Sequence, residues 1–188
     1  GKEYIKFGGD TTCITVTSKD NDLIVIDAGT GIRKLGNDLL KNDTKKFSII
    51  FTHSHWDHLM GFPFFKPLYS NEYEIDVYGC PFTSGDSIRD MLAGTMNPPY
   101  FPVDLGAIHA RINYINVRYS SFKIGSLQII PIQLSHPNQG IGYKVIEGDK
   151  SFVFLTDNEL GYFHYPGLQY QDYVRDCKDA DILFHDGE

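Results

Sequence analysis

The chain has 188 residues, of which 41% are apolar and 22% are charged, and its formal net charge is −7. This length and composition indicate a single globular domain over residues 1–188. No apolar run approaches the roughly 18 residues that span a membrane, and the excess of acidic residues argues against a long nucleic acid as partner. We therefore expect a soluble protein that binds a small molecule.

Short apolar runs rich in β-branched and aromatic residues alternate with helical patterns along the chain. Eight strands are predicted, at Cys13–Thr17, Leu23–Ile26, Phe47–Phe51, Ile75–Tyr78, Leu127–Ile132, Gly142–Ile146, Ser151–Leu155 and Asp181–Phe184. Four helices are predicted, at Ile32–Leu40, from Trp56 onwards, at Ser87–Leu92 behind Ser84 as a cap, and at Tyr170–Cys177. This mixture predicts an α/β (α+β) domain in which helices pack against sheets.

The three cysteines, Cys13, Cys80 and Cys177, lie far apart and include no C-x-x-C pair. Such spacing fits neither a disulfide framework nor a cysteine zinc site. We expect free thiols and, on that basis, a cytoplasmic protein.

The most informative segment follows the predicted strand Phe47–Phe51, where His53, His55, Asp57 and His58 fall within six positions. Residues two apart in an extended segment point the same way, so His53 and His55 can hold one ion, while Asp57 and His58 begin a helix beside it. Imidazole and carboxylate ligands suit zinc, manganese or iron. The segment therefore predicts a metal site.

Two more polar residues come directly after predicted strands, where ligands from distant parts of an α/β chain commonly meet. His136 follows the strand Leu127–Ile132, and Asp157 follows Ser151–Leu155. Alone, each would more often be a turn or cap residue. Together with the histidine cluster, they are candidate ligands.

These motifs resemble the metallo-β-lactamase superfamily of hydrolases. The resemblance is carried by Thr52-His53-Ser54-His55-Trp56-Asp57-His58, by Ile26-Asp27-Ala28-Gly29 before it, and by His136 and Asp157 after it. It implies a four-layer αββα sandwich with two divalent metal ions at one edge between the sheets. It further implies that the first ion binds His53, His55 and His136, that the second binds Asp57 and His58, and that Asp157 bridges both. Asp27 would orient a ligand without being one.

One feature of that superfamily is not found in this sequence. A final histidine ligand for the second ion would fall beyond Glu188, so we expect a chain truncated at its C-terminal end, and the opening segment suggests the same at the start. His109, His164 and His185 match no ligand position, although His185 is an alternative for the missing ligand.

The resemblance also implies a mechanism. Two metal ions, which we expect to be zinc, would lower the pKa of water to about 7, and Asp57 would both hold a metal and steer the hydroxide as the catalytic residue. Counting charges, the ions, the two aspartates and the hydroxide leave about +1 on the cluster, which complements a singly charged phosphodiester.

Three segments favour one branch of the superfamily, the phosphodiesterases that include ribonuclease Z and the cyclic phosphodiesterase of phosphonate breakdown. These are Gly8–Cys13, Asp27–Gly31 and His136–Tyr143. We expect a small phosphodiester substrate, with Asn138, Gln139 and Gly140 as candidate contacts to its phosphate. A thioester or lactone hydrolase and a non-catalytic binding or sensing domain are the alternatives, and a homodimer is left open.

Overall fold

The first of two sheets holds most of the N-terminal half of the chain. The computed structural model describes residues 6, 8–80 and 87–186. Its first five strands are β1 (Ile14–Thr17), β2 (Leu23–Ile26), β3 (Lys46–Ile50), β4 (Glu74–Gly79) and β5 (Arg111–Asn116). They form one sheet in the order β1-β2-β3-β4-β5, antiparallel between β1 and β2 and parallel elsewhere. The parallel strands all end at the same edge.

The second sheet is mainly antiparallel. Its strands are β6 (Phe122–Ile124), β7 (Leu127–Gln133), β8 (Ile141–Glu147), β9 (Lys150–Leu155) and β10 (Ile182–His185). They lie in the order β10-β9-β8-β7-β6, and only β10 and β9 run parallel. Both sheets therefore contain strands whose ends can present side chains to a common edge.

Four α-helices are found among the described residues: α1 (Ile32–Leu39), α2 (Trp56–Leu59), α3 (Ile88–Thr95) and α4 (Tyr170–Cys177). Helix α3 begins with a capping box, in which Ser87 Oγ accepts from the Asp90 backbone N–H and the Asp90 carboxylate accepts from Ser87 N. Such a cap satisfies helix N–H groups that have no intrahelical partner. None of these helices is long and apolar enough to cross a membrane.

The layers follow from how strand residues alternate between the two faces of a sheet. In β2, Ile24 and Ile26 belong to the core between the sheets, together with Ile129 of β7 and Val145 of β8. Val25 faces the other way, into the core that helices α1 and α3 cover. A third core places α4 on the outer face of the second sheet. The layer order is therefore αββα, as predicted.

The eight predicted strands are all present, and no strand end differs from its predicted position by more than one residue. Strands β5 and β6 were not predicted. β5 begins with Arg111 and ends with Asn116, and no residue in it is fully buried, while β6 has only three residues. Their apolar patterns are therefore too weak or too short to stand out. Ser84, the predicted cap of α3, lies outside the described residues.

Candidate metal centre

Polar side chains follow four strands and meet at one edge of the sandwich. Asp27 directly follows β2, His53 comes shortly after β3, His136 after β7 and Asp157 after β9. The ring centroid of His53 lies 4.6 Å from that of His55 and 4.8 Å from that of His136. Residues far apart in the sequence therefore form one cluster at the ends of the strands.

A first group of potential ligands consists of His53, His55 and His136. One nitrogen atom of each ring lies within 4.8 Å of the others. Nε2 of His136 is 2.8 Å from Nδ1 of His55. Three imidazoles are a common set of protein ligands for a catalytic divalent ion. His53 and His136 are buried and His55 is half-buried, so the group opens to solvent on the side of His55.

A second group consists of His53, His58 and Asp157. Oδ2 of Asp157 lies 2.9 Å from Nε2 of His58 and 3.7 Å from Nε2 of His53. Two imidazoles and a carboxylate also suit a divalent ion. Because both groups contain His53, the two candidate positions for an ion are neighbours.

The environment of His53 fits a metal ligand. Its Nε2 atom is buried and has no hydrogen-bond partner among the described residues, while Nδ1 lies 3.0 Å from Oγ1 of Thr52. Burial and the nearby charges of His58 and His136 lower the pKa of His53 to about 2, so the ring is neutral at physiological pH. An unpaired buried nitrogen is unfavourable. A divalent cation would satisfy its lone pair.

Asp27 holds His58 from behind. Its Oδ2 atom lies 2.7 Å from Nδ1 of His58 and accepts from the Thr52 hydroxyl at 2.7 Å, while Oδ1 accepts from the Thr52 backbone N–H at 2.8 Å. Burial opposes a charge on His58, but the hydrogen bonds to Asp157 and Asp27 outweigh it and raise the pKa of His58 to about 10. Asp27 thereby orients the ring whose other nitrogen faces Asp157.

Backbone contacts hold helix α2 against the loop after β2. The Ala28 N–H donates to the His58 carbonyl and the Gly61 N–H donates to the Ala28 carbonyl, both at 2.8 Å. A Cβ atom at Gly61 would overlap the backbone of Gly29 and Ala28. This approach requires glycine at position 61, and it sets the distance between Asp27 and His58.

A solvent-accessible cleft passes the cluster. Asp57 and Asp157 line it together with Thr11, Thr12 and His185. The carboxylates of Asp57 and Asp157 can therefore be reached by a small molecule from solvent.

The comparison with known families identifies the fold family. A profile described as Beta-lactamase superfamily domain matches residues 23–188. The chain belongs to the beta-lactamase superfamily. The resemblance inferred from the histidine motif is thereby confirmed at the level of the superfamily, and so is the predicted fold.

Solved structures of this superfamily share the fold. A diphosphatase of the PhnP family has 18% identity and a TM-score of 0.62, over 93% of this chain and 59% of that one. The metallo-beta-lactamase fold protein YhfI from Bacillus subtilis has 17% identity and a TM-score of 0.62, over 92% and 61%. The short form of human tRNase Z has 19% identity and a TM-score of 0.56, over 92% and 69%. No curated protein sequence gave a match.

This superfamily member therefore spans about three fifths of the length of the first two of these structures. Similarity at this level of identity shows a shared fold.

Five of the six ligands predicted from the superfamily motif lie in the two groups: His53, His55, His58, His136 and Asp157. Asp57 lies in neither. It sits in the first turn of α2 with a side chain 54% exposed, and its Oδ2 atom is 3.3 Å from Nε2 of His58. The carboxylate is thus beside the second group, and the ligand roles of all six residues remain predictions.

Of the predicted substrate contacts, Asn138 has a side chain near the cluster, whereas Gln139 and Gly140 form a turn with their backbone groups. Nδ2 of Asn138 lies 3.4 Å from Nε2 of His55, at the rim of the cluster. The Gln139 N–H donates to the His136 carbonyl, and the Gly140 carbonyl accepts from Leu134 N, so these backbone groups close the turn. Asn138 is the member of this loop whose side chain reaches the site.

Sequence reasoning missed Glu159, which lies behind His136. Its Oε1 atom is 3.8 Å from Nδ1 of His136, and its Oε2 atom is 3.0 Å from Nε2 of His164. The only signal in the sequence is a second acidic residue two positions after Asp157.

Among the described residues, neither ligand group contains any of the three histidines left unassigned from the sequence. His164 contacts Glu159. His185 lies 3.2 Å from the side-chain nitrogen of Asn158 and lines the cleft with Asp57. The exposed His109 donates its backbone N–H to the carbonyl of Leu68.

Proposed function

We propose that this chain forms the catalytic domain of a dinuclear metal-dependent hydrolase that acts on a small phosphodiester. The observation that carries the proposal is that His53 belongs to two adjacent ligand groups, one of three histidines and one that includes Asp157. Adjacent divalent ions can bind both the attacking and the leaving oxygen of a phosphoryl group. The names of two fold relatives, a diphosphatase and a tRNase Z, support a phosphorus centre.

Bound divalent ions would supply a nucleophile from water at neutral pH and stabilise the negative charge that develops on the substrate. The side chains around them have separate tasks. Asp57 is exposed to the cleft, and its Oδ2 atom is placed to accept a proton from the attacking water and to orient it. Asn138 at the rim is placed to donate to a phosphoryl oxygen. The neutral His53 can give its lone pair without first losing a proton.

The test compares substrates on the metal-loaded, full-length protein. We expect turnover of bis-p-nitrophenyl phosphate that a chelator abolishes and added zinc, manganese or iron restores, with little turnover of an acyl thioester or a lactone. His53→Ala should remove at least about 100-fold of kcat/KM because both groups lose a ligand. His109→Ala is the matched control, since His109 is exposed and lies in neither group.

Each outcome decides between the candidate functions. Thioester or lactone turnover without diester turnover would replace the phosphodiesterase by a carbonyl hydrolase. Metal binding without turnover of any of the three would favour a binding or sensing domain. Elemental analysis gives a second readout, with about two ions per chain expected and about one in His58→Ala.

A further inference from the structure

A second, positively charged cleft lies next to the candidate metal centre. It is formed by helix α1 and the turns around Phe64 and Lys66, and three basic side chains line it: Arg33, Lys34 and Lys66. Among the described residues that line it, Asp10 is the one acidic residue, so this lining carries a net charge of two positive units in a chain whose formal charge is −7. The sequence gives little sign of this basic cleft, because Lys66 is more than thirty positions from Arg33 and Lys34 on α1.

Two of these cations form no ion pair with a carboxylate of the described residues. Lys34 is engaged, with its Nζ atom 2.5 Å from Oδ2 of Asp10. Within residues 8–80 and 87–186, neither Arg33 nor Lys66 has a carboxylate oxygen within 4.0 Å. Their charges are therefore available to an anion from solution.

The cleft also offers an apolar surface. The Phe64 ring is 57% exposed, and the guanidinium carbon of Arg33 lies 6.0 Å from its centroid. Asn37 and Thr30 add polar groups to the lining. Cations beside an exposed ring suit a ligand that joins a phosphate to a flat or apolar group, such as a nucleotide.

The basic cleft adjoins the cleft at the metal centre. Asp10 lines both clefts, and the Thr11 hydroxyl donates to the Asp57 carbonyl at 2.6 Å. The Thr30 hydroxyl lies 3.3 Å from Oδ1 of Asp10, and it accepts from the Thr11 N–H at 2.8 Å. A single short segment therefore lies between the two clefts, which share Asp10 at their border.

We propose that Arg33 and Lys66 bind a second phosphate of the substrate while the scissile phosphodiester lies at the metal centre. This inference rests on the proposed function and narrows its substrate class to nucleotide-sized diesters that carry an additional phosphate. The second phosphate takes no part in the chemistry. Its contribution is to position the diester, which raises kcat/KM through binding.

The test uses two substrates that differ by one phosphate: the p-nitrophenyl ester of thymidine 5′-phosphate and the same compound with a 3′-phosphate. We expect the wild-type holoenzyme to prefer the bisphosphate by about 10-fold or more in kcat/KM, as two charge-assisted contacts provide. The preference should weaken as salt is added, because it depends on charge.

The double variant R33A/K66A should bring the ratio of the two kcat/KM values close to one. R118A/K123A is the matched control, because it also removes one arginine and one lysine, from exposed positions that line neither cleft. It should keep the wild-type ratio. Because the readout is a ratio within each protein, a general loss of folded enzyme cancels. An unchanged ratio in R33A/K66A, or an equal loss in R118A/K123A, would overturn the proposal.

A binding measurement separates this inference from the proposed function. If neither ester is hydrolysed, the phosphodiesterase proposal fails, and calorimetry with thymidine 3′,5′-bisphosphate on the metal-loaded protein still tests the cleft. We expect the dissociation constant to rise about 10-fold in R33A/K66A and to stay unchanged in R118A/K123A. Equal affinity in the wild type and in R33A/K66A would show that the basic cleft binds no phosphate.

Discussion

Asp27 and His58 form a buried pair in which Oδ2 of the carboxylate lies 2.7 Å from Nδ1 of the imidazole. Their side chains are 0% and 1% exposed. The same carboxylate accepts the backbone N–H and the hydroxyl of Thr52, so three donors converge on one group. Loss of the acceptor would leave these donors buried and unpaired, which links the stability of the fold to the geometry of the site.

Asp27→Ala should therefore affect both stability and metal binding. We expect the free energy of unfolding to fall by about 3–5 kcal/mol, as when one partner of a buried pair is removed. Metal affinity of any protein that still folds should fall about 10- to 100-fold, because His58 loses the group that orients it. Urea unfolding in the presence of a chelator measures the free energy of unfolding. Competition with a chromogenic chelator measures the metal affinity.

Asp149→Ala is the control for this substitution, since the Asp149 side chain is 91% exposed. Its unfolding midpoint and metal affinity should match those of the wild type. A metal affinity in Asp27→Ala equal to that of the control would contradict the role given to Asp27.

Glu159→Ala tests whether the residue behind His136 positions that ring. Because Glu159 contacts His136 and His164 from the side away from His55, its loss should weaken metal binding by about 10-fold and change the free energy of unfolding by less than about 1 kcal/mol. The comparison is Glu72→Ala, whose side chain is 65% exposed beside Lys45. The idea fails if both variants bind metal as tightly as the wild type.

Gly61→Ala and Gly94→Ala should change stability in opposite directions. A methyl group at Gly61 would overlap the backbone of Gly29, so we expect a loss of about 2 kcal/mol or more together with weaker metal binding. Gly94 lies in α3 with nothing within 4 Å of a new Cβ atom, and its replacement should stabilise the protein by about 0.5–1 kcal/mol. Thermal unfolding of both variants provides the measurement, and a stable Gly61→Ala would refute the close contact.

Cys13 should resist alkylation in the folded protein. Burial, followed by the charges of Asp27 and Asp10, raises its pKa from 9.0 to about 12. At pH 8 only about one thiol in ten thousand would then be ionised, and the thiolate is the reactive form. Because the pKa of Cys13 is raised in the folded protein, the thiol stays protonated through pH 9. At that pH the same thiol in an unfolded chain is half ionised.

Mass spectrometry after iodoacetamide treatment measures this directly. Cys13 should label slowly in the native protein at pH 8 and at least 100-fold faster in guanidinium chloride. The native rate should keep rising with pH above 9 in place of levelling off. Rapid native labelling at pH 8 would show that the pKa of this half-buried thiol is not raised.

The sequence predicts best where a local pattern determines the structure. The strand Leu23–Ile26 and the helix Tyr170–Cys177 have the predicted bounds, because the first is an unbroken apolar run and the second has helical spacing of its apolar residues. Strand β5 has only a short alternation, in which Ile112 and Tyr114 are half-buried, and its place in the sheet also depends on pairing with β4. Non-local pairing of this kind is not visible in a window of a few residues.

The site residues also fall into those that a local pattern predicts and those that depend on non-local packing. The spacing of His53, His55 and His58 predicts their meeting, because all three belong to one short segment. Glu159 and the basic pair Arg33 and Lys66 could not be predicted, since their relation to the site arises only when distant elements pack together. Motif spacing therefore identifies site residues that belong to one segment. Site residues that come from distant segments are identified only from the fold.

The hydrogen bonds of Thr52 decide the tautomer of a neighbouring ring. A hydroxyl has one proton to donate, and that of Thr52 goes to Oδ2 of Asp27. Toward His53 the same oxygen can only accept, so the proton of this imidazole sits on Nδ1 and Nε2 is left bare. Oδ2 of Asp27 likewise keeps a proton on Nδ1 of His58. The buried Asp27 carboxylate thus keeps Nδ1 protonated in both His53 and His58. In each ring, Nε2 faces the position where an ion would lie.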